Sequence, residues 1–389
     1  MNKAMKVGLG CGGLLIVFLL VSFGALLAYV IHEQHAYEKL PDTHDLSQRV
    51  AQLGEEYLAQ RPHGALVIGV LQQDKGYIVG LGQASPAQTN PPDGQTIFEL
   101  GSITKVFTGV TLAKLVDDGV VRLDDPIGKY LPEGVVAPQK NGHEITLGEL
   151  ATHTSGLPRL PDNLDTSPAN AINPYASYHA TNLYQSLATV QLSHEPGKVS
   201  DYSNYGFGLL GHLLELKTGL PYETLITRTI CEPLGLSNTV IHLSPEQLTR
   251  LAPGHDAQGD IVSNWDFDAL AGCGAFRSDA SDLLNFLSAN LKTNSAPIYQ
   301  ALAEARKFHL KKFSGGIGLG WQIEEPVEDR VVYWHNGGTG GYIGFIGFDR
   351  KNQAGIVILS NYGDAMSGDN SVDKMGMDIL KLATKVSWQ

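Results

Sequence analysis

Residues 101–115 have the sequence Gly-Ser-Ile-Thr-Lys-Val-Phe-Thr-Gly-Val-Thr-Leu-Ala-Lys-Leu. The apolar residues that follow Lys105 recur at helical spacing, which predicts a helix that begins near Ser102. Residues three positions apart share one face of a helix, so the Lys105 amine can reach the Ser102 hydroxyl. Partial positive charge at a helix N-terminus favours an anion there and disfavours a protonated lysine. The stretch therefore predicts a serine nucleophile paired with a base.

A Ser-x-x-Lys pattern alone is weak, because it occurs a second time at Ser371–Lys374. Two further segments change its significance. Tyr202-Ser203-Asn204 is the only Tyr-x-Asn of the chain, and it precedes an apolar segment with helical character. His335-Asn336-Gly337-Gly338 comes directly after the strand-like segment Val331–Trp334. The three patterns together, in this order, indicate a catalytic site.

A literal Lys-Thr-Gly at residues 217–219 is the alternative to His335-Asn336-Gly337 as the pattern that follows Ser-x-x-Lys and Tyr-x-Asn. It ends the predicted helix Gly206–Leu216 and no strand leads into it. Gly219 is well suited to the left-handed residue that follows a helix. We therefore interpret Lys-Thr-Gly as a helix end and His335 as the start of the third pattern.

With Ser-x-x-Lys, Tyr-x-Asn and His-x-Gly in this order, the chain resembles the serine β-lactamase and penicillin-binding protein family, specifically its class C-like branch. The resemblance covers roughly residues 46–385. Its further matches are Thr152-His153-Thr154-Ser155-Gly156-Leu157-Pro158, Pro233-Leu234-Gly235-Leu236 and Ala271-Gly272-Cys273-Gly274. It implies a β-lactamase/D,D-peptidase-like fold of the α/β (α+β) class, and no metal or other cofactor.

The resemblance also implies a role for each matched residue. Ser102 is the acylated nucleophile. Lys105 either takes the serine proton directly or, while charged, supports a Tyr202 phenolate that takes it, and both bases stay open. Tyr202 also passes a proton to the leaving group and activates the deacylating water, and Asn204 holds the substrate amide and orients Lys105. The backbone N–H groups of Ser102 and Gly338 form the oxyanion hole.

His335 and Gly337 complete the implied substrate-binding set. His335 stands where effective β-lactamases carry a lysine, and a histidine with its ordinary pKa near 6.5 is charged only part of the time. The resemblance associates this histidine with D,D-carboxypeptidases, D-amino-acid peptidases and esterases. We expect carboxylate affinity to rise as pH falls through about 6.5. His153 belongs to a segment that is a structural turn in the family, and it is left out of the site.

The N-terminal residues predict the compartment. Val7–Ile31 carries no charge, and a helix of that length spans about 37 Å, enough to cross a bilayer. Lys3 and Lys6 precede it, which predicts a cytoplasmic segment 1–6 and an exported remainder, with 32–45 as a tether. A cleaved signal peptide ending near Ser22-Phe23-Gly24 is the alternative, although the apolar run is longer than such peptides carry.

Composition excludes several classes of protein. Of 389 residues, 43% are hydrophobic and 17% are charged, which argues against a disordered chain. Lysine and arginine number 28 against 40 acidic residues, a net charge of −12 that excludes nucleic acid as the main partner. With Cys11 in the apolar N-terminus, only Cys231 and Cys273 could pair, and we expect both to be buried and free.

Strand-like segments cluster at the two ends of the chain, with helical and loop-rich sequence between them. Ala65–Leu71 and Tyr77–Leu81 form a hairpin signal, and the others are Trp321–Ile323, Val331–Trp334, Tyr342–Phe348 and Ala354–Leu359. We predict one antiparallel sheet of about five strands, flanked by helices, and an inserted all-helical domain. The sheet subdomain is 46–125 and 255–389, and the helical subdomain is 126–254, together forming one catalytic domain over 46–389.

These observations predict a single-pass membrane protein whose extracytoplasmic domain is a serine hydrolase. Its substrates are peptides ending in D-alanine, β-lactams, or related amides and esters. The alternatives are an esterase of the same family, and a penicillin-binding or sensing module that is acylated without turnover. Tyr202 favours an enzyme, because a trap has no need of efficient deacylation.

Overall fold

The computed structural model describes residues 45–84, 90–167, 170–312, 314–325, 330–364 and 371–389. Residues Asp45–Gln389 form one compact unit. The predicted membrane anchor 7–31, the cytoplasmic segment 1–6 and nearly all of the tether lie outside the described residues. Within the described ranges, no helix combines the length and the apolar character needed to cross a membrane.

The helices of the described residues are between 3 and 15 residues long. In chain order they are α1 (Leu46–Leu58), α2 (Thr104–Asp117), α3 (Leu147–Ala151), α4 (Ala180–Thr189), α5 (Asn204–Thr218), α6 (Tyr222–Ile226), α7 (Glu232–Leu234), α8 (Pro245–Leu248), α9 (Ala280–Leu291), α10 (Pro297–Ala305) and α11 (Val372–Ala383). Single 3₁₀ turns lie at Gly101–Ile103, Ile127–Lys129 and Ala271–Cys273, and a π-helical turn at Thr227–Cys231.

The strands of the described residues fall mainly at the two ends of this range. They are β1 (Ala65–Gln72), β2 (Lys75–Gly82), β3 (Phe98–Glu99), β4 (Gln139–Lys140), β5 (His143–Glu144), β6 (His255–Asp256), β7 (Arg277–Ser278), β8 (Leu310–Lys312), β9 (Gly315–Ile317), β10 (Gln322–Glu324), β11 (Val332–Gly338), β12 (Ile343–Asp349), β13 (Ala354–Ser360) and β14 (Tyr362–Gly363).

The main sheet joins both ends of the described chain. Its order is β2-β1-β13-β12-β11-β10-β9-β8, and every neighbouring pair is antiparallel. The hairpin of β1 and β2 and the pairing of β1 with β13 confirm that one sheet is built from both ends. The prediction of about five strands was wrong, since eight strands pair within the described residues. Strands as short as β8 and β9 carry too few residues for a period-two signal.

Helices cover both faces of this sheet. Gly69, opposite Val357, faces α9, whereas Phe345, opposite Ile358, faces α11. Because successive residues of a strand point to opposite faces, α9 and α11 lie on opposite sides of the sheet. The apolar run of β1 is buried along nearly its whole length, as expected of a strand covered on both faces.

Within residues 126–254 the regular structure is mainly helical, and loops separate helices α3 to α8. The prediction that this insert is all-helical was wrong in one detail, because β4 and β5 pair as a minimal hairpin within it. Two-residue strands bury almost nothing and leave no pattern in the sequence. The division into subdomains 46–125 with 255–389, and 126–254, stays a prediction.

Four local predictions are settled by two helix ends, one strand and the two cysteines of the described residues. Gly219, with φ of 68°, is the left-handed residue that ends α5, which confirms the interpretation of Lys-Thr-Gly as a helix end. The helix predicted near Ser102 begins as the 3₁₀ turn Gly101–Ile103 and continues as α2. The strand predicted to stop at Trp334 was too short, since β11 continues through His335 to Gly338. Cys231 and Cys273 are buried and free, as predicted.

Candidate active site

Ser102 and Lys105 lie one helical turn apart at the start of α2. The Lys105 Nζ donates to the Ser102 Oγ at 2.8 Å and to the carbonyl oxygen of Cys273 at 2.7 Å. Lys105 is 0% exposed, whereas Ser102 is partly exposed. The predicted pair is therefore formed, with a buried amine fixed behind a hydroxyl that solvent can reach.

Tyr202 brings the second predicted pattern to the same oxygen. Its hydroxyl donates to the Ser102 Oγ at 2.6 Å, and its ring centroid lies 4.9 Å from the Lys105 Nζ. Tyr202 stands just before α5, whose N-cap is Ser203: the Ser203 Oγ accepts from the N–H of Gly206 at 2.9 Å. This cap satisfies a free N–H of the first turn and fixes the point where the chain enters the helix.

Glycines let strand β11 approach the turn that carries Ser102. A Cβ on Gly337 would lie 2.0 Å from the Leu100 carbonyl oxygen and 2.8 Å from the Ser102 nitrogen. Gly101 has a left-handed φ of 49°, and a Cβ there would lie 2.6 Å from the Gly338 carbonyl oxygen. Only glycine is compatible with such close approach of two backbones. The backbones of Ser102 and Gly338 are thereby placed side by side.

Asn204 does not make the contact that the resemblance implies. Its amide Nδ2 donates to the Tyr175 hydroxyl at 3.2 Å, and its Oδ1 is buried without a hydrogen-bond partner among the described residues. The expectation that Asn204 orients Lys105 is therefore not met in this structure, where the Cys273 carbonyl holds the lysine instead. A backbone carbonyl leaves no trace in a side-chain pattern, so sequence reasoning missed it.

Aromatic residues that the sequence did not single out line the region beside Asn204. Tyr175 is buried and stacks on Phe267, with ring centroids 4.6 Å apart, and its ring lies 5.5 Å from that of Trp265. Tyr175 lies between α3 and α4, in a loop that is turn-rich where it is described. This loop and the segment around Trp265 therefore form an aromatic wall near the start of α5.

His335 is buried and neutral. Its side chain is 1% exposed, and its Nδ1–H donates to the Asn336 carbonyl oxygen at 2.5 Å. Burial, followed by the nearby charge of Lys105, lowers the pKa of His335 to about 3. This burial disagrees with the expectation of a group that titrates near pH 6.5, and the pH dependence of carboxylate binding stays a prediction. The strand position alone could not reveal this, because it depends on burial beside a lysine that is remote in sequence.

The third pattern carries little positive charge in this structure. The Asn336 Nδ2 donates to the Asp373 carboxylate at 2.7 Å, and burial raises the pKa of Asp373 to about 6. An exposed cation lies elsewhere around the site: the Arg159 guanidinium carbon is 5.0 Å from the Tyr202 ring centroid. The acidic group of Asp373 thus binds the Asn336 amide, whereas the His335 imidazole lies near the Lys105 amine.

Histidine NMR tests the neutral state of His335. Among the 13 histidines of the chain, we expect the His335 resonance to keep its neutral-form chemical shift from pH 8 to pH 5. The resonance is assigned by its loss in His335→Asn. A midpoint near pH 6.5 contradicts the burial argument.

The same pKa has a consequence for stability. A lowered pKa means that the unfolded chain binds the proton first as pH falls. The contribution of His335 to stability is therefore complete above pH 6.5 and is lost between about pH 6.5 and pH 3.

Comparisons with known proteins agree with this geometry. The family model described as Beta-lactamase matches residues 48–374. A D-alanyl-D-alanine-carboxypeptidase/endopeptidase, AmpH, of Escherichia coli strain K12 is 29% identical over 87% of this chain and 90% of its own length. A Beta-lactamase of the same strain is 29% identical over 78% of this chain and 85% of its own length.

A solved structure is similar over nearly its whole length. The Beta-lactamase/D-alanine Carboxypeptidase from Yersinia pestis, complexed with citrate, superposes with a TM-score of 0.74 and 27% identity. The match covers 87% of this chain and 98% of that protein. The fold therefore coincides with that of a protein named as a β-lactamase and D-alanine carboxypeptidase.

Proposed function

The chain belongs to the beta-lactamase family and is a serine hydrolase, and from this premise we propose that it works through an acyl-enzyme on Ser102. Its substrates are peptides ending in D-alanine, β-lactams, or related amides and esters. The observation that carries this proposal is the geometry at one oxygen. The Ser102 Oγ receives hydrogen bonds from the Lys105 amine and the Tyr202 hydroxyl, and Ser102 remains reachable from solvent.

The reaction follows from this geometry in two steps. The Ser102 hydroxyl loses its proton to a neutral Lys105 amine or to a Tyr202 phenolate supported by a charged Lys105, and its oxygen attacks the substrate carbonyl. The tetrahedral intermediate then collapses as the leaving group takes a proton from Tyr202, which leaves an ester on Ser102. Water, activated by Tyr202, hydrolyses that ester. Both basic groups are within hydrogen-bond distance of the serine, so the choice of the first proton acceptor stays open.

The developing oxyanion is stabilised by backbone N–H groups in this proposal. Ser102 and Gly338 supply them, because the glycines of β11 bring the two backbones together. A donor of this kind contributes about 3 kcal/mol to the transition state.

The neutral His335 and the named relative both bear on the choice of substrate. His335 is neutral at physiological pH, so it offers no permanent cation to a substrate carboxylate. The absence of a permanent cation favours uncharged esters but does not separate peptides ending in D-alanine from β-lactams, because both carry a carboxylate. The relative AmpH is named for D-alanyl-D-alanine cleavage, which supports the peptide as substrate. An esterase is the second candidate, supported by the same neutral His335. A sensing module is less well supported, because Tyr202 is positioned for deacylation.

We also propose that the catalytic domain acts outside the cytoplasm. The uncharged run Val7–Ile31 behind Lys3 and Lys6 supports a single-pass anchor with an exported C-terminal domain. Cell-wall peptides and β-lactams are met on that side of the membrane, which makes the location consistent with the proposed substrates.

Time-resolved mass spectrometry on the whole chain tests the proposed function. The protein is incubated separately with a fluorescent penicillin, a D-alanyl-D-alanine peptide and p-nitrophenyl acetate, and adduct and product are followed together. We expect turnover of the peptide or the ester, and a longer-lived adduct with the penicillin. A penicillin adduct without turnover of any compound supports the sensing module. Neither adduct nor product with the three compounds contradicts the proposal.

A further inference from the structure

His153 holds the backbone on both sides of Tyr202. The N–H of Asp201 donates to the His153 carbonyl oxygen at 2.8 Å, and the N–H of Ser203 donates to the His153 Nδ1 at 3.1 Å. One residue therefore fixes the peptide groups that precede and follow the tyrosine. These two bonds remove most of the freedom of the Tyr202 backbone to shift toward or away from Ser102.

The His153 ring also packs against the tyrosine itself. Its centroid lies 4.5 Å from the Tyr202 ring centroid and 4.8 Å from that of Phe207 in α5. The residue is 3% exposed. Ring contact on one side and hydrogen bonds on both flanks together determine where the Tyr202 hydroxyl points.

The backbone of His153 is strained in a way that serves this arrangement. Its φ is 59°, in the left-handed region that residues other than glycine rarely adopt. Such a conformation costs of order 1–2 kcal/mol and persists where surrounding structure enforces it. The residue after His153 is also held by a hydrogen bond, because the Thr154 carbonyl oxygen accepts from the N–H of Gly197 at 2.8 Å.

The hydrogen bond from Ser203 requires a neutral imidazole. An imidazole that accepts at Nδ1 carries its proton at Nε2, and protonation of Nδ1 would break the bond. Burial, followed by the charge of Lys105 and then by His335, Lys312 and Arg159, lowers the pKa of His153 well below its ordinary value. The hydrogen bond from the Ser203 N–H to the His153 Nδ1 is therefore compatible with the whole physiological pH range.

We propose that His153 is a positioning residue that places the Tyr202 hydroxyl on Ser102, and that its segment is part of the catalytic apparatus and not only a turn. The inference rests on the proposed function, because it assigns Tyr202 a proton-transfer role. It differs from a purely structural role in one respect: the effect of His153 on the reaction must pass through the tyrosine hydroxyl.

A double-mutant cycle with Tyr202→Phe tests this dependence. His153→Phe keeps an aromatic ring and removes the acceptor for Ser203. We expect it to lower kcat about 30-fold, within the range of a misplaced general base, with KM changed less than about threefold. In the Tyr202→Phe background the same substitution should lower kcat less than about threefold, because the group it positions is already absent. Equal effects in both backgrounds overturn the proposal.

His153→Asn is the matched conservative variant. Asparagine tolerates a left-handed backbone, and its Oδ1 can accept from the N–H of Ser203. We expect kcat within about tenfold of the wild type. A loss with His153→Asn as large as with His153→Phe contradicts the role of the acceptor. If His153→Phe does not fold, His153→Ala replaces it in the same cycle, since it also lacks the acceptor and adds no bulk.

A second readout separates this inference from the proposed function. A fluorophosphonate forms a bond between phosphorus and an activated serine oxygen, while fluoride leaves and the serine proton passes to the base. Its labelling rate at Ser102 reports the base without any natural substrate, and the cycle is repeated with it. If the protein turns over none of the three test compounds, but the labelling rates still show that the effect of His153 depends on Tyr202, only the proposed function is overturned. No labelling of the wild type overturns both.

Discussion

We expect the variant Ser102→Ala to form no covalent adduct with a fluorescent penicillin and to lose at least about 1,000-fold in kcat on any substrate that the wild type turns over. Loss of a catalytic serine removes the covalent route altogether, and what remains is catalysis by binding and by the oxyanion hole. The Ser102 side chain is partly exposed and accepts from Lys105 and Tyr202, so its removal leaves the core intact. Intact-mass spectrometry and kcat measured in parallel check this result.

The chain provides its own matched control. Ser371 is the first residue of the second Ser-x-x-Lys and the N-cap residue of α11. Its Oγ accepts a hydrogen bond from the N–H of Lys374 at 3.3 Å. Ser371→Ala should therefore cost about 1 kcal/mol of unfolding free energy and leave acylation unchanged. An adduct that persists in Ser102→Ala, or that disappears in Ser371→Ala, would contradict the assignment of the nucleophile.

The sequence predicted that Ser102, Lys105 and Tyr202 lie together, and it could do so because its patterns are local. Ser-x-x-Lys fixes one helical turn, and the residues around Tyr202 fix a helix start, so each places its side chains by short-range geometry. The resemblance carried by the three patterns implied that Tyr202 lies with Ser102, and the structure brings the two side chains within hydrogen-bond distance across 100 residues of chain. The sheet was likewise predictable where its strands are long and apolar.

What the sequence could not predict depends on packing between remote segments. The neutral state of His335 arises from burial near Lys105, and the Asn204–Tyr175 contact joins α5 to a loop without periodicity. His153 was set aside because its segment looked like an ordinary turn. Its importance lies in backbone N–H groups of residues 201 and 203, and such bonds carry no signature in side-chain identity. Residues that position the reacting side chains are thus harder to predict from sequence than the reacting side chains themselves.

Lys105→Met should lower kcat and the rate of acylation at Ser102 by about 1,000-fold. The lysine amine touches the nucleophile at 2.8 Å, and whether it accepts the proton itself or supports Tyr202, its removal disables proton transfer. Methionine is unbranched and of similar length, so it fills the same space in α2. The measurement is the rate of adduct formation with a fluorescent penicillin, together with the thermal unfolding midpoint.

The thermal midpoint of Lys105→Met should stay within about 3 °C of the wild type. Two hydrogen bonds are lost, to Ser102 and to the Cys273 carbonyl, and both stabilise the folded state. Against this loss, the variant no longer removes an amine from water into a fully buried position, which costs several kcal/mol when the group is charged. The two effects are of similar size and opposite sign. Activity and stability should therefore separate at this position.

Lys114→Met is the control for that separation, because Lys114 lies on the same helix and pairs with Asp118 near the surface. A surface ion pair contributes about 0–1 kcal/mol, so neither stability nor acylation should change appreciably. Acylation within tenfold of wild type in Lys105→Met would show that Tyr202 suffices as the base. A midpoint lowered by about 10 °C or more would show instead that the buried amine is mainly a structural anchor for the Cys273 turn.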